Sequence, residues 1–575
     1  MSAAGNEIES VLAIDIGSVN TRAVLFDLVG DSYRMLAASI APSTHLAPIR
    51  DVQEGMAAAV RSLEEITGRS LLDSNQKLII PSSSDGEGVD HLALTSSAGP
   101  DIRVTAMGLL GSYSLAAVEK LAGGLYARVV DRVSLGDNRK PEDRLNAFIQ
   151  SDSDLVILAG GTNQGATRAV LRMTDQLRLG LQTCPQEERP PVFFTGNETL
   201  HARVEEMLES LTQVKLAPNV MPGALSDDTG PAEEALVELI NEIRAKKVCG
   251  FTDLERISGQ PTWPTAGAEG RILRFQSLQQ DPLRTVAGVN VGASASHFIA
   301  AVNGELNTSV YRGLGVGQAA AEALSRLGIQ SIMRWLALNI PENEVRDYLW
   351  QKSLYPAGLS TTVETMEIEQ ALARSVLAEM KRIHLGIPTL AFEGFEPILA
   401  SGAVIAQAPT LVQSLLIILD GLQPSGVTTI LCDRFGLLSG LGVTASINPA
   451  LVVQVLETGI LTNIGTVVSP TFRAKIGEPV LRVRIQEDEK DEKEFEIKKG
   501  EIVRLPLGVN QSGHLTIKPL KHMGGYSGSK SLKVIGGELG VIIDTRGRAI
   551  SLPNDEELRR DVLTKWNNSL QESLS

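Results

Sequence analysis

The stretch VLAIDIGSVNTRAVLFDL, residues 11–28, concentrates residue types that handle phosphate. An apolar run ends in Asp15, turns through Gly17 and Ser18, and resumes as an alternating run over Arg22–Leu28. Two runs this rich in Val, Ile and Leu, joined by a few small polar residues, predict a β-hairpin. In such a turn Gly17 lets backbone approach a ligand closely, and the hydroxyl, amide and N–H groups of Ser18, Asn20 and Thr21 can donate to phosphate oxygens. Asp15, at the end of the buried strand, is placed to hold a hydrated Mg²⁺. An ordinary glycine hairpin carries the same short pattern, D-x-G-x-x-x-T, so the turn needs company before it means a nucleotide.

Two later segments supply it. RTVAGVNVGASASHFIAAVNGEL (284–306) repeats the strand–glycine turn–strand shape, with Gly292 and Ser294 in the turn, as a fold of two related halves facing one cleft requires. ASGAV (400–404) runs a strand into Gly402 and Ala403 and then a helix, which suits close approach to adenosine.

The elements that must position these turns fall into several domains, since 575 residues exceed the size of one core. The expected organisation is a first half over 8–90 with a helix near Ile49–Ile66, then strand–helix alternation over 91–260, a second half over 261–464, a β segment over 465–553, and a terminal helix and tail over 554–575. The fold class is α/β. The alternation over 91–260 predicts an inserted doubly wound, Rossmann-like domain with a parallel sheet. Ligands of such sheets sit at the carboxyl ends of strands, which makes Gly160, Gly161, Thr162, Asn163, Gly196 and Asn197 candidate contacts. The competing reading is that these glycines only make tight strand-to-helix turns. In the all-β segment the acidic run EDEKDEK (487–493) reads as a solvated hairpin tip, and 536–549 as a glycine-rich hairpin whose turn is flanked by Arg546 and Arg548, two exposed arginines that could also meet an acidic partner.

Composition narrows the partners. A hydrophobic share of 43% with 4% aromatics describes aliphatic cores, and a net charge of −15 argues against nucleic acid and against an anionic membrane surface. Cys184, Cys249 and Cys432 are far apart and odd in number, which fits thiols in a reducing cytosol better than disulfides or zinc. The seven histidines form no metal-spaced pair, no apolar run reaches the roughly 20 residues of a membrane span, and the first residues lack a signal-peptide pattern. A soluble cytoplasmic protein is expected.

The three glycine segments follow the order of the phosphate-1, phosphate-2 and adenosine segments of the actin, sugar-kinase and DnaK-chaperone superfamily, which the chain thus resembles. Within it, TSSAGPDIRVTAMGL (95–109), SDLVILAGGTNQG (153–165), PPVFFTGN (190–197), APNVMP (217–222) and ILCDRFGLLSGLGV (430–443) resemble the MutL (GlmL) family associated with adenosylcobalamin-dependent glutamate mutase, over roughly 8–460. That family is unrelated to the mismatch-repair protein of the same name. The resemblance implies an actin-like (ribonuclease H-like) ATPase body, ATP or ADP with Mg²⁺ as cofactors, and a role as reactivating factor or chaperone with a cobalamin-dependent mutase as client. No function transfers to the residues after about 465.

The chain departs from the family at its second phosphate segment, which there reads D-V-G-G-A-T-T-D. Here Asn290 and His297 replace the two acids, Ala293 the second glycine, and Ala295 a threonine. The first acid helps hold Mg²⁺ and orient water in this superfamily, so its loss predicts slow or absent hydrolysis beside surviving binding at Asp15. On this reading Asn290→Asp raises ATP turnover. The alternatives are an actin-like scaffold or self-associating filament protein that uses nucleotide only as a clip, and a small-molecule kinase, for which no base carboxylate stands out. Asp433 and Arg434 read as fold or interface support, Ser96 and Ser97 as turn residues with no base beside them, and His297 as structural.

Overall fold

The computed structural model of the protein describes residues 9–223, 229–385, 394–487, 493–522 and 529–572. Strand β1 (Val11–Ile16) is buried except at Asp15. Such a strand, covered on both faces, reads as a continuous aliphatic run. β2 (Asn20–Val29) returns antiparallel to it with Asp15 opposite Arg22, and β3 (Ser32–Pro42) follows at the edge. The helix Val52–Thr67 is capped by Asp51, whose side chain accepts from Gln53 N–H, and its Val, Met, Ala and Leu side chains cover the sheet. β4 (His91–Ser96) lies parallel to β1, not in the inserted domain to which its position after residue 90 assigned it. An aliphatic strand of six residues fits either sheet. The pairing with β1, 80 residues earlier, decides.

The inserted sheet begins with β5 (Ile102–Gly108) and continues through β6 (Ala127–Val133), β7 (Leu155–Ala159), β8 (Val192–Phe194) and β9 (Val214–Leu216). All pairs are parallel and the spatial order is β6-β5-β7-β8-β9, a doubly wound arrangement with cores on both faces. The chain returns through β10 (Trp263–Pro264), which completes the first sheet as β10-β4-β1-β2-β3.

β11 (Thr285–Val291), β12 (Ala295–Val302) and β13 (Glu305–Arg312) repeat the opening three strands, and β14 (Phe395–Ser401) and β15 (Gly426–Cys432) complete the order β13-β12-β11-β14-β15. The same five-strand order is therefore built twice. The fold is mixed α/β with a body of two such sheets. β16 (Thr462–Ser469) adds to this second sheet antiparallel to β15.

The segment after 465 divides between two sheets. β17 (Pro479–Glu487), β18 (Lys493–Lys498), β20 (Ser512–Pro519) and β21 (Lys530–Ile535) form a four-stranded sheet, while β19 (Ile502–Leu505) and β22 (Val541–Asp544) extend the second body sheet beyond β16. The glycine-rich stretch 536–549 is accordingly no hairpin. Gly536–Gly540 carries the chain from one sheet to the other, and β22 pairs with β16 and β19. Most of the acidic run, 488–492, lies outside the described residues.

Arg546 is buried, contrary to its expected exposure. It forks onto Asp544 (3.0 Å to each oxygen), reaches Asp420 Oδ1 at 2.6 Å, and stacks 4.7 Å over Trp566 of the terminal helix Glu556–Gln571. Asp420 also accepts from Arg374 Nε at 2.9 Å, and Arg548 Nη2 adds a contact to Asp544 at 3.0 Å. Arginine beside glycine looks like a solvated turn in sequence; Asp544 is two residues away, but Asp420, which completes the burial of the guanidinium, comes from 126 positions earlier.

One compact unit includes Leu36–Ala268 together with the chain up to Phe26, and the other comprises Asp27–Met35, Glu269–Asn307 and the residues from Tyr311 onward. Among the described residues no helix is long and apolar enough to cross a membrane. Cys249 is exposed and Cys432 buried; burial, then the Asp433 charge, push the Cys432 thiol up to about 12. Alkylation of the native protein at neutral pH is expected to modify Cys249 quickly and to leave Cys432 intact until denaturant is added, as peptide mass mapping would show.

Candidate nucleotide site

The two glycine turns have one geometry. Gly17 stands two residues after Asp15 and three before β2 begins at Asn20; Gly292 stands two residues after Asn290 and three before β12 begins at Ala295. A Cβ on Gly17 would lie 2.6 Å from the Asn20 carbonyl oxygen, and one on Gly292 2.5 Å from that of Ala295. Glycine is thus required by close backbone approach at both. In register Asp15 faces Arg22 and Asn290 faces His297, so Asn290 is the structural counterpart of Asp15.

In the first turn Gly17 N–H is used on Asn20 O at 3.0 Å. Ser43 braces the turn from outside, its N–H to Val19 O at 2.8 Å and its hydroxyl to Gly17 O at 2.7 Å. Thr21, expected to donate to phosphate, is buried with its hydroxyl 2.9 Å from that of Ser43, so it supports the turn instead. Ser18 is half-buried and Asn20 exposed. Asp15 Oδ1 accepts from Thr95 (2.7 Å) and from Thr265 (2.9 Å), which fixes the orientation of the carboxylate. Ser96 is buried, donating to Ile16 O at 3.1 Å and accepting from Ala98 N–H at 3.1 Å, a turn residue and no nucleophile.

The second turn is braced by the glycine-rich segment 313–319. Val316 N–H donates to Gly292 O, and the N–H groups of Gly317 and Ala319 to Ala293 O, each at 3.0 Å. Gly315 must lack a side chain, since its Cβ would sit 2.4 Å from Ala293 O. The half-buried Ser294 donates to Gln318 Oε1 at 2.8 Å. Gly402, at φ +95°, lies against the last residue of β11, where a Cβ would meet Val291 O at 2.3 Å. The third glycine segment and the second turn are therefore packed together at the carboxyl ends of β11 and β14, with Ala403 exposed beside them. Asp433, just past β15, accepts at 2.9 Å from the N–H of Leu438, the first residue of the helix Leu438–Thr444, which is fold support.

The residue that sequence reasoning missed is Glu269, on the helix Thr265–Leu278. Its carboxylate is buried, with Oε1 3.0 Å from Asn290 Nδ2 and Oε2 2.8 Å from His297 Nε2. No motif marks it; an acid among small residues in TAGAEG is the one available hint.

Residues 11–460 match the MutL protein family. The chain belongs to that family. No curated protein matches it. Among solved structures, the MutL-family chain is similar to diol dehydratase-reactivating factor in nucleotide-free form at 9% identity and TM-score 0.31, covering 76% of this chain and 100% of that one. The ethanolamine utilization protein EutJ from Carboxydothermus hydrogenoformans matches at 8% identity and TM-score 0.26, over 76% and 88%. Xylulose kinase from Bifidobacterium adolescentis matches at 11% and 0.28, over 80% and 96%. None of these similarities transfers an activity to this chain.

The MutL segments of the inserted domain are knitted to one another. Asn197, fully buried, donates to Gly165 O at 3.0 Å and accepts from Thr199, and Asn163 exchanges hydrogen bonds with Glu198 and Asn219 at 2.9–3.3 Å. Gly161, at φ +75°, offers its carbonyl to Asn219, and Gly196 packs on the Gly160 backbone, where a Cβ would come within 2.8 Å. The turn at Thr162 closes on Gly165 N–H at 2.8 Å. The amides of Asn163 and Asn197 are thus taken up inside the loops, the structural use that competed with ligand contact.

Proposed function

We infer that this MutL-family protein binds a nucleoside triphosphate with Mg²⁺ through its glycine turns and serves a client enzyme, with slow or absent hydrolysis. The duplicated turn carries this reading: two hairpins in which a glycine is forced by the same carbonyl contact, each preceded two residues earlier by a polar strand residue. Each turn carries groups that suit the ligand: Asp15, Ser18 and Asn20 at the first, Asn290 and Ser294 at the second, offer hard oxygens and amide donors. Magnesium suits a lone carboxylate such as Asp15, because it keeps most of its waters and binds one or two carboxylates together with phosphate. Bound there, it would neutralise phosphate charge while Asp15 orients its water shell.

Family membership supports a reactivating factor or chaperone for an adenosylcobalamin-dependent mutase as the client relationship. An exposed apolar run also supports a partner: Trp350 and Leu354, i,i+4 on the helix Glu342–Leu354, continue into Tyr355, Leu359 and Val363. The same run favours self-association as the second reading. Calorimetric titration with Mg·ATP followed by phosphate release on the same sample is expected to show saturable binding with little release. Absence of binding would defeat the proposal. Sedimentation with and without nucleotide separates the readings, since nucleotide-dependent polymers would select the scaffold.

A further inference from the structure

The second glycine turn has lost both acids of the family pattern, yet a carboxylate stands against both vacated positions. Glu269 Oε1 accepts from the Asn290 amide at 3.0 Å and Oε2 meets His297 Nε2 at 2.8 Å, with the Glu269 side chain 5% exposed. Asn290 and His297 are cross-strand partners in the β11–β12 pair, so one carboxylate spans the pair. The other end of the Asn290 amide faces the turn, its Oδ1 3.8 Å from where a Cβ of Gly292 would stand.

These contacts make the changes at 290 and 297 conditions for Glu269 rather than independent losses. A buried carboxylate needs donors on its oxygens. An aspartate at 290, of nearly the same shape as the asparagine, would instead set a second negative charge about 3 Å away, where one of the two must give up its charge. Asparagine at 290 keeps nearly the aspartate shape, donates its N–H₂ to Glu269, and leaves its oxygen toward the turn. At the first turn the counterpart, Asp15, carries the charge itself and is held by two threonine hydroxyls.

We propose that Glu269 is a positioning residue for the second turn: it supplies from the helix the negative charge that the strand gave up, and it locks the Asn290 oxygen toward Gly292 for a hydrated cation. The inference rests on the nucleotide reading for the identity of the ligand, but the pairing itself does not. It also reverses the expectation that Asn290→Asp restores turnover. That variant crowds two carboxylates and is harmful unless Glu269 is neutralised as well.

The test is a double-mutant cycle of wild type, Glu269→Gln, Asn290→Asp and the double variant, read in two ways. Thermal unfolding without nucleotide is expected to show Asn290→Asp several degrees below wild type, with most of that loss recovered in the double variant, where a single carboxylate remains. Should Glu269→Gln alone not fold, Asn290→Asp against the double variant still decides. The second readout is the factor by which Mg²⁺ tightens ATP in calorimetry. It is expected to fall about tenfold in Glu269→Gln, which removes the negative charge held against the Asn290 amide and leaves a weaker neutral acceptor, and to return in the double variant, a rescue that loss of packing alone does not produce. Additive melting shifts would overturn the pairing. A Glu269→Gln variant with unchanged Mg²⁺ dependence would overturn the positioning role. A wild type that binds no nucleotide would remove the functional reading, while the melting cycle would still decide the relocated charge.

Discussion

Replacing Arg546 with leucine is expected to lower stability by about 3–5 kcal/mol, read as a shift of the denaturant midpoint of the full chain. The magnitude follows from what the substitution strands. Asp544 is fully buried and Asp420 nearly so, and Arg546 satisfies both, through a fork onto one and a 2.6 Å contact to the other. Removing it leaves two carboxylates in a medium that solvates them poorly, with Arg374 and Arg548 as remaining partners. The penalty comes from the stranded charges, so adding Asp420→Asn and Asp544→Asn to Arg546→Leu is expected to recover part of it. If the triple variant is no more stable than the single one, the loss is packing against Trp566.

The network also sets an acid limit. Burial alone raises the Asp544 carboxyl, but the Arg546 and Arg548 guanidiniums more than reverse this and hold it well below the usual carboxylate range. A carboxyl depressed by folding stabilises the native state fully above its unfolded value, near pH 4, and this contribution is lost as pH falls below that value toward the folded one. In Asp544→Asn that share of the acid-induced loss is expected to vanish.

Gly402→Ala is the second large effect. At φ +95° an L residue is strained by about 1–3 kcal/mol before contacts are considered. Here the Cβ would also lie 2.3–2.8 Å from three backbone atoms of Val291, at the end of the strand that carries Asn290 and leads into Gly292. Backbone cannot swing aside as a side chain can, so β11 and the second turn must move. A stability loss of at least about 2–4 kcal/mol is expected, with ATP affinity reduced tenfold or more if that turn holds nucleotide. Gly68→Ala is the matched control: its φ is +70° but nothing lies within 4 Å of its Cβ, so the conformational penalty appears alone.

Much of the body was legible in the chain because its signals are local. The β1–β2 hairpin, the second strand–glycine–strand and the approach to Gly402 are written in residues within about ten positions of one another. Apolar period, glycine where backbone approaches backbone, and the alternation of strand and helix depend only on near neighbours. The terminal helix over Glu556–Gln571 belongs to the same class. What stayed hidden needed partners from elsewhere. β4 looks like a strand of the inserted sheet until it pairs with β1, 80 residues away. Arg546 reads as a solvated turn residue until Asp420, 126 positions earlier, meets it. Asn163 and Asn197 look available until Asn219, Thr199 and Gly165 take up their amides. Asn290 reads as a lost acid until the helix brings Glu269 against it. By itself the sequence determined the conformation of each turn, because backbone sterics act over a few residues. Tertiary structure alone decided which charges those turns hold, because a buried side chain's chemistry is set by the groups that folding places within about 3 Å of it.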